Sequence, residues 1–247
     1  MGQGLANGVL LYPTHPAPSY FIASRPCTAR HLRLITAHMI RFSIFGIPVE
    51  IQPFFWISLI ILGGASSADS AAAILNIGLF VLAGFISILV HELGHALAAR
   101  AFGAHSAITL QAFGGYAAYS GGLLNRWQSF LVTAAGPGIQ ILLGVAVFFL
   151  LRALPELSDN GDHFLHTLIL ISFFWAILNL LPVVPLDGGQ MLNALLGPSH
   201  IKITLWVTII VAVVVGVLMF TQTGSIIFPI FLGMFAWQAF QGLNQHP

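Results

Sequence analysis

The sequence predicts an all-α polytopic membrane protein with about six transmembrane helices and short membrane-associated β-hairpin segments. Three observations carry that reading. Of 247 residues, 57 % are hydrophobic and 6 % charged, where a soluble domain carries about 25 % charged residues. The apolar residues fall in runs long enough to cross a bilayer. Gly-rich segments with alternating apolar residues interrupt those runs. The net charge of +1 gives no electrostatic footprint for nucleic acid. Cys27 is the one cysteine, so no intrachain disulfide forms and no thiolate set is available to a metal.

Residues 1–38 mix Gly, Pro, Ser, His and Arg without a sustained apolar core, so they lack a signal-peptide pattern and read as a disordered cytoplasmic tail. Met39 opens a more orderly stretch and is a candidate natural start, with 39–247 as the membrane-embedded domain. Residues 42–51 are rich in β-branched and aromatic side chains, interrupted by Gly46 and Pro48. They predict a strand or hairpin at the interface. Pro53 opens a short apolar helix to about Gly64, at the first helical position that proline tolerates. The next span covers about 71–101. Residues 103–122 are too polar and Gly-rich to cross a membrane, yet Ile108, Leu110 and Phe113 predict a hairpin dipping into the protein. A third span over 127–154 contains Gly136-Pro137-Gly138, which predicts a kink. A fourth covers 163–181 and ends before Pro182 and Pro185. The fifth and sixth cover 201–220 and 225–240.

Lysine and arginine set the orientation. With six spans and a cytoplasmic N-terminus, Arg25, Arg30, Arg33, Arg41, Arg100, Arg126 and Lys202 lie inside and Arg152 alone lies outside. The chain is then multi-pass in the cell membrane with both termini cytoplasmic.

Within the 71–101 span lies His91-Glu92-Leu93-Gly94-His95, an H-E-x-x-H motif. An ionisable residue at the centre of a membrane helix costs roughly 2.5–3.5 kcal/mol on the insertion scale, and here three fall within five positions. Each helical residue advances about 100°, so His91 and His95 lie on one face about 40° apart. Two imidazoles so placed can hold one Zn²⁺, with the glutamate as general base. The plainer alternative is a pair of buried histidines bonded to carbonyls of neighbouring helices.

Asp187 follows in Asn179-Leu180-Leu181-Pro182-Val183-Val184-Pro185-Leu186-Asp187-Gly188-Gly189. The prolines break the fourth helix and the glycines permit a sharp turn. The plainer alternative is a Pro/Gly-rich loop with a helix-capping aspartate. No Lys or Arg lies in the body of a span to neutralise Glu92 and Asp187. Two neutral imidazoles, two carboxylates and one divalent cation sum to zero, which is a physical reason to expect a metal.

Together, the H-E-x-x-H motif and the later N-x-x-P-x-x-x-L-D-G run closely resemble the site-2 protease family of intramembrane zinc metalloproteases. The resemblance covers about 71–196, which corresponds to a three-helix catalytic core, with flanking helices at about 53–65 and 201–243. It implies one Zn²⁺ per chain, held by His91, His95 and Asp187. It implies Glu92 as general base and acid, and Asn179 as the polar group facing the developing oxyanion. Phe113-Gly114-Gly115 resembles the family's glycine-containing hairpin, and Phe113 to Tyr116 would hold an unwound substrate segment by β-addition. The partners so implied are a transmembrane protein substrate and the lipid bilayer. One departure stands out. The family often has G-P-x-x-N, and here Gln140 occupies the Asn position. The chain ends at Pro247, so no appended sensing or peptide-binding domain is expected.

Two other classes remain open on the sequence: a non-catalytic relative that binds membrane proteins, and a metal or proton transporter. Intact Glu92 argues against the first. Clustering of the polar groups at one depth argues against the second.

Overall fold

The structure, a computed structural model, describes residues 39–121, 124–154 and 157–245. The tail expected over 1–38 lies outside the described residues. Ile40–Ile44 (β1) and Ile47–Ile51 (β2) form an antiparallel hairpin. Its turn residues Phe45 and Gly46 both have positive φ, 52° and 75°. In β2 the side chains alternate as a half-buried strand requires: Ile47, Val49 and Ile51 are buried and Pro48 is exposed.

His105–Gln111 (β3) and Gly114–Ser120 (β4) form the second expected hairpin. The two hairpins are not separate. β2 pairs in parallel with β3, giving one four-stranded sheet in the order β1-β2-β3-β4. The crossover between the parallel strands passes through two helices, Pro53–Leu62 (α1) and Ala71–Ala101 (α2). Ile108 and Leu110 of β3 join Ile47, Val49, Ile51, Phe55, Leu59, Ile88, Leu89 and Ala96 in one apolar cluster. The sheet therefore lies against the C-terminal half of α2. Two polar ties hold it there: Arg100 donates to the Phe45 carbonyl, and Ser106 Oγ donates to the Ala96 carbonyl at 2.9 Å.

Arg126–Ala153 (α3) and Asp159–Asn179 (α4) pack on α2 and on each other. The α2–α3 crossing is close. A Cβ on Gly94 would fall 2.5 Å from the Ala135 carbonyl oxygen. The helix α3 runs on both sides of Pro137 without interruption. The short helix Asp187–Leu196 (α5) follows the proline-rich turn. Ile201–Thr223 (α6) and Ile227–Gln245 (α7) then pair with each other.

Among the described residues, four helices are long and apolar enough to cross a membrane: α2, α3, α4, and α6 with the 3₁₀ turn that leads into it. This is a multi-pass membrane protein. The expected count of about six includes two flanking helices that length and composition alone do not support. At 1.5 Å per residue, the 10-residue α1 is about 15 Å long, half the roughly 30 Å hydrocarbon core. The helix α7 has 19 residues, but Gln238, Gln241, Asn244 and Gln245 fall in its second half.

Candidate metal centre

The site is assembled from two elements. His91 and His95 lie one turn apart on α2, and their rings meet edge to face with centroids 4.7 Å apart. By the helical rise, His91 sits about 15 Å from the C-terminal end of α2. The α5 helix begins at Asp187 itself. Its approach is shaped by the turn before it. Leu186 N–H donates to the Val183 carbonyl at 2.7 Å, and Val184 N–H donates to Thr208 Oγ1 on α6 at 3.0 Å. Gly188 and Gly189 let α5 fold back on that turn. A Cβ on Gly188 would fall 2.1 Å from the Leu180 carbonyl oxygen, and one on Gly189 would fall 2.4 Å from the Val183 carbonyl carbon. Any side chain there would push Asp187 away.

His91, His95 and Asp187 are all buried and each offers one ligand atom to a common point. The two Nε2 atoms are 3.1 Å apart. Asp187 Oδ2 lies 3.1 Å from His91 Nε2 and 3.4 Å from His95 Nε2. Ligands about 2.0–2.1 Å from a tetrahedral zinc stand roughly 3.3–3.4 Å from one another, so the triangle has the size the metal requires.

The outer nitrogens give the same answer independently. His91 Nδ1 lies 3.0 Å from Gln140 Oε1, and His95 Nδ1 lies 2.8 Å from the Val132 carbonyl. Both partners only accept, so both Nδ1 atoms carry the proton. In neutral rings the two Nε2 lone pairs then face each other and the carboxylate. Asp187 Oδ2 is buried with no hydrogen-bond partner among the described residues. Three acceptors converging without a donor are repulsive unless a cation lies between them. The donor set therefore fits zinc.

Glu92 is buried beside this triangle, within electrostatic reach of His91, His95 and Asp187. Its other neighbour is the hairpin: a Cβ on Gly115 would fall 2.9 Å from Glu92 Cγ and 3.0 Å from Oε1. Glycine at 115 thus lets β4 pass directly over the glutamate.

The sequence profile of peptidase family M50 matches residues 79–160 and 156–221. The chain belongs to peptidase family M50. A zinc metalloprotease of Methanocaldococcus jannaschii is 31 % identical over 160 residues, covering 64 % of this chain and 45 % of that protein. A Synechocystis protein named as a zinc metalloprotease is 33 % identical over 162 residues, covering 62 % of this chain and 42 % of its own. The chain thus spans less than half the length of these curated relatives. Among solved structures, the site-2 protease from Methanocaldococcus jannaschii superimposes with a TM-score of 0.60 at 25 % identity, covering 83 % of this chain and 94 % of that one. The expected family resemblance is confirmed.

The remaining expected residues of this M50 chain lie at the end of α4, on the β3–β4 hairpin and on α3. Asn179 ends α4, half-buried, with its amide donating to the Trp175 carbonyl one turn back at 3.1 Å. Phe113 lies in the β3–β4 turn and Gly114 opens β4, with φ of 60° and 154°. The Phe113 N–H donates to Ser58 Oγ on α1 at 3.0 Å, and its ring lies 4.5 Å from that of Phe231 on α7. Tyr116 on β4 is exposed. Gln140, read as a departure, is fully buried and bonded to His91. Sequence reasoning missed Ser87, although it lies one turn before His91 on the same face of α2. It also missed the close approach of Gly136 to His95.

Proposed function

We propose that this M50 chain is an intramembrane zinc endopeptidase that hydrolyses peptide bonds of transmembrane substrates near the cytoplasmic side of a cell membrane. His91, His95 and Asp187 hold one zinc ion. The observation that carries the reading is the buried triangle of three lone-pair donors, with the Glu92 carboxylate beside it and outside the ligand set. A zinc ion held there supplies Lewis acidity toward the scissile carbonyl and toward water.

The chain's own groups do the rest. Glu92 accepts the proton of the attacking water and returns it to the leaving nitrogen, which requires one buried carboxylate within reach of both. Asn179 turns its amide from the Trp175 carbonyl to the carbonyl oxygen as negative charge develops there. A substrate helix must unwind first, because its carbonyls are already hydrogen-bonded. The edge strand β4 supplies alternative main-chain partners, with Phe113, Gly114, Gly115 and Tyr116 binding the unwound segment by strand addition. Because Gly115 lies against Glu92, a segment added there runs past the base.

The test uses purified protein in detergent and a panel of transmembrane peptides. Cleavage should stop when the metal is stripped by a chelator and return on adding one equivalent of zinc. Cleavage that survives complete metal removal would overturn the reading.

A further inference from the structure

The buried polar groups do not end at the ligands. Gln140 on α3, Ser87 on α2 and Ser172 on α4 are each 0 % exposed. They are joined end to end. Gln140 Oε1 accepts from His91 Nδ1 at 3.0 Å. Gln140 Nε2 donates to Ser87 Oγ at 2.8 Å and to the Ser87 carbonyl at 3.3 Å. Ser87 Oγ exchanges a hydrogen bond with Ser172 Oγ at 3.1 Å. The carbonyl accepts only, so the amide cannot flip without facing one oxygen with another. Ser87 therefore fixes which end of Gln140 meets His91, and Gln140 in turn fixes which nitrogen of His91 carries the proton.

We infer that Gln140, Ser87 and Ser172 form a buried relay that orients the His91 ring and sets the affinity of the His91–His95–Asp187 centre for zinc. The inference rests on the zinc reading above. Gln140 is a positioning residue: it touches neither substrate nor metal, and it acts through His91. An amide whose two ends are both engaged leaves the ring one orientation and one tautomer, with Nε2 free for the metal. The length of the side chain matters. Oε1 must reach α2 at His91 while Nε2 reaches the same helix one turn earlier at Ser87, and an arm shorter by one methylene cannot serve both. Because Ser172 is on α4, the relay also ties all three core helices to the ligand.

The test is zinc affinity of the full chain in detergent, read by competition with a chromophoric chelator, together with the absorption spectrum of the cobalt-substituted protein. Gln140→Leu removes both ends of the amide at similar volume. It should weaken zinc about 10–100-fold, the range for losing an outer partner of a metal-bound histidine, and alter the cobalt spectrum. Thermal stability of the metal-free protein should fall only modestly, because one neutral buried donor, the His91 Nδ1–H, loses its acceptor. Gln140→Glu keeps an acceptor for Nδ1 but loses the donor to the Ser87 carbonyl, so its zinc affinity should fall between those of wild type and Gln140→Leu. Ser87→Ala should weaken zinc roughly two- to tenfold, the weight of one neutral hydrogen bond. Zinc affinity of Gln140→Leu within twofold of wild type overturns the inference. So does a Gln140→Glu protein as impaired as Gln140→Leu. If Gln140→Leu fails to fold, Ser87→Ala decides, and unchanged affinity there overturns the relay. A wild-type protein that binds no zinc at all would instead sink the proposed function, so the two failures are distinct.

Discussion

Gly136 lies directly against His95: a Cβ built on Gly136 would fall 2.2 Å from His95 Nε2, the ligand atom itself. Real Cβ contacts are never that short, and a buried imidazole held at Nδ1 by Val132 has nowhere to turn. Gly136→Ala should therefore expel His95 from the triangle and abolish stoichiometric zinc binding. Gly138, two residues on, has nothing within 4 Å of a built Cβ. Gly138→Ala should bind zinc normally. Metal analysis of both proteins after purification checks the pair, and equal zinc in both would refute the contact's role.

Glu92 is the second test. Gln keeps the shape of the side chain but cannot accept a proton at neutral pH. The Glu92→Gln protein should retain about one equivalent of zinc, because the ligand atoms come from His91, His95 and Asp187. Its turnover should fall at least about 10²–10⁴-fold, the usual weight of a general base. Near-normal turnover by a sequence-verified Glu92→Gln protein would remove Glu92 from the chemistry.

The ligands make a third. His91→Ala, His95→Ala and Asp187→Ala each remove one of three protein ligands, so each should leave less than one equivalent of zinc. Asp187→Asn is the sharper variant, since it keeps volume and removes only charge. Because Oδ2 faces two Nε2 lone pairs, loss of the charge should weaken zinc nearly as much as loss of the side chain. Wild-type zinc content in both Asp187 variants would assign the third ligand elsewhere.

How much of this was readable beforehand follows from the range of each signal. His91 and His95 are four residues apart, and helical periodicity alone puts them on one face. Asp187 was reachable through charge balance and through the prolines and glycines that bend the chain around it. Those are local or global constraints. Gly136 against His95 and Gln140 between His91 and Ser87 depend on how α3 is rotated and shifted along α2, and no periodicity encodes that register. The parallel pairing of β2 with β3 was hidden for the same reason. Each hairpin announces itself by alternation and turn residues, whereas the edge it pairs with is chosen by the helices in between.

Topology is the fourth prediction. Asn160 is exposed near the start of α4, and Ser199 is exposed between α5 and α6. If Arg100, Arg126 and Lys202 face the cytoplasm and Arg152 faces outside, the Asn160 end of α4 lies outside and the Ser199 end of α5 lies inside. In a Cys27→Ser background, an impermeant thiol reagent applied to intact cells should label Asn160→Cys and spare Ser199→Cys. The reverse pattern would invert the orientation and move the predicted cleavage to the outer side.

Asn179 is the last. It stands eight residues before Asp187, which on an unbroken helix would place it about 12 Å away along the axis and 80° around it. The turn at 180–186 removes that constraint, because α4 ends at Asn179 and α5 begins at Asp187. The Asn179 amide is bonded to the Trp175 carbonyl within its own helix, so it reaches substrate only by exchanging that bond for one to the oxyanion. The exchange is favourable when the new acceptor carries negative charge, since a bond to a charged acceptor is roughly twice as strong as a neutral one. The contribution should therefore appear in the transition state and hardly at all in the ground state. We expect Asn179→Ala to keep zinc, keep KM within a few-fold, and lower kcat about 10²–10³-fold, roughly 2.7–4 kcal/mol. Asn179→Asp should be worse, because it sets a carboxylate against developing negative charge. Parallel loss of zinc and activity in Asn179→Ala would make the residue a support for the Asp187 turn instead. Unchanged kcat would mean that its bond to Trp175 is never exchanged.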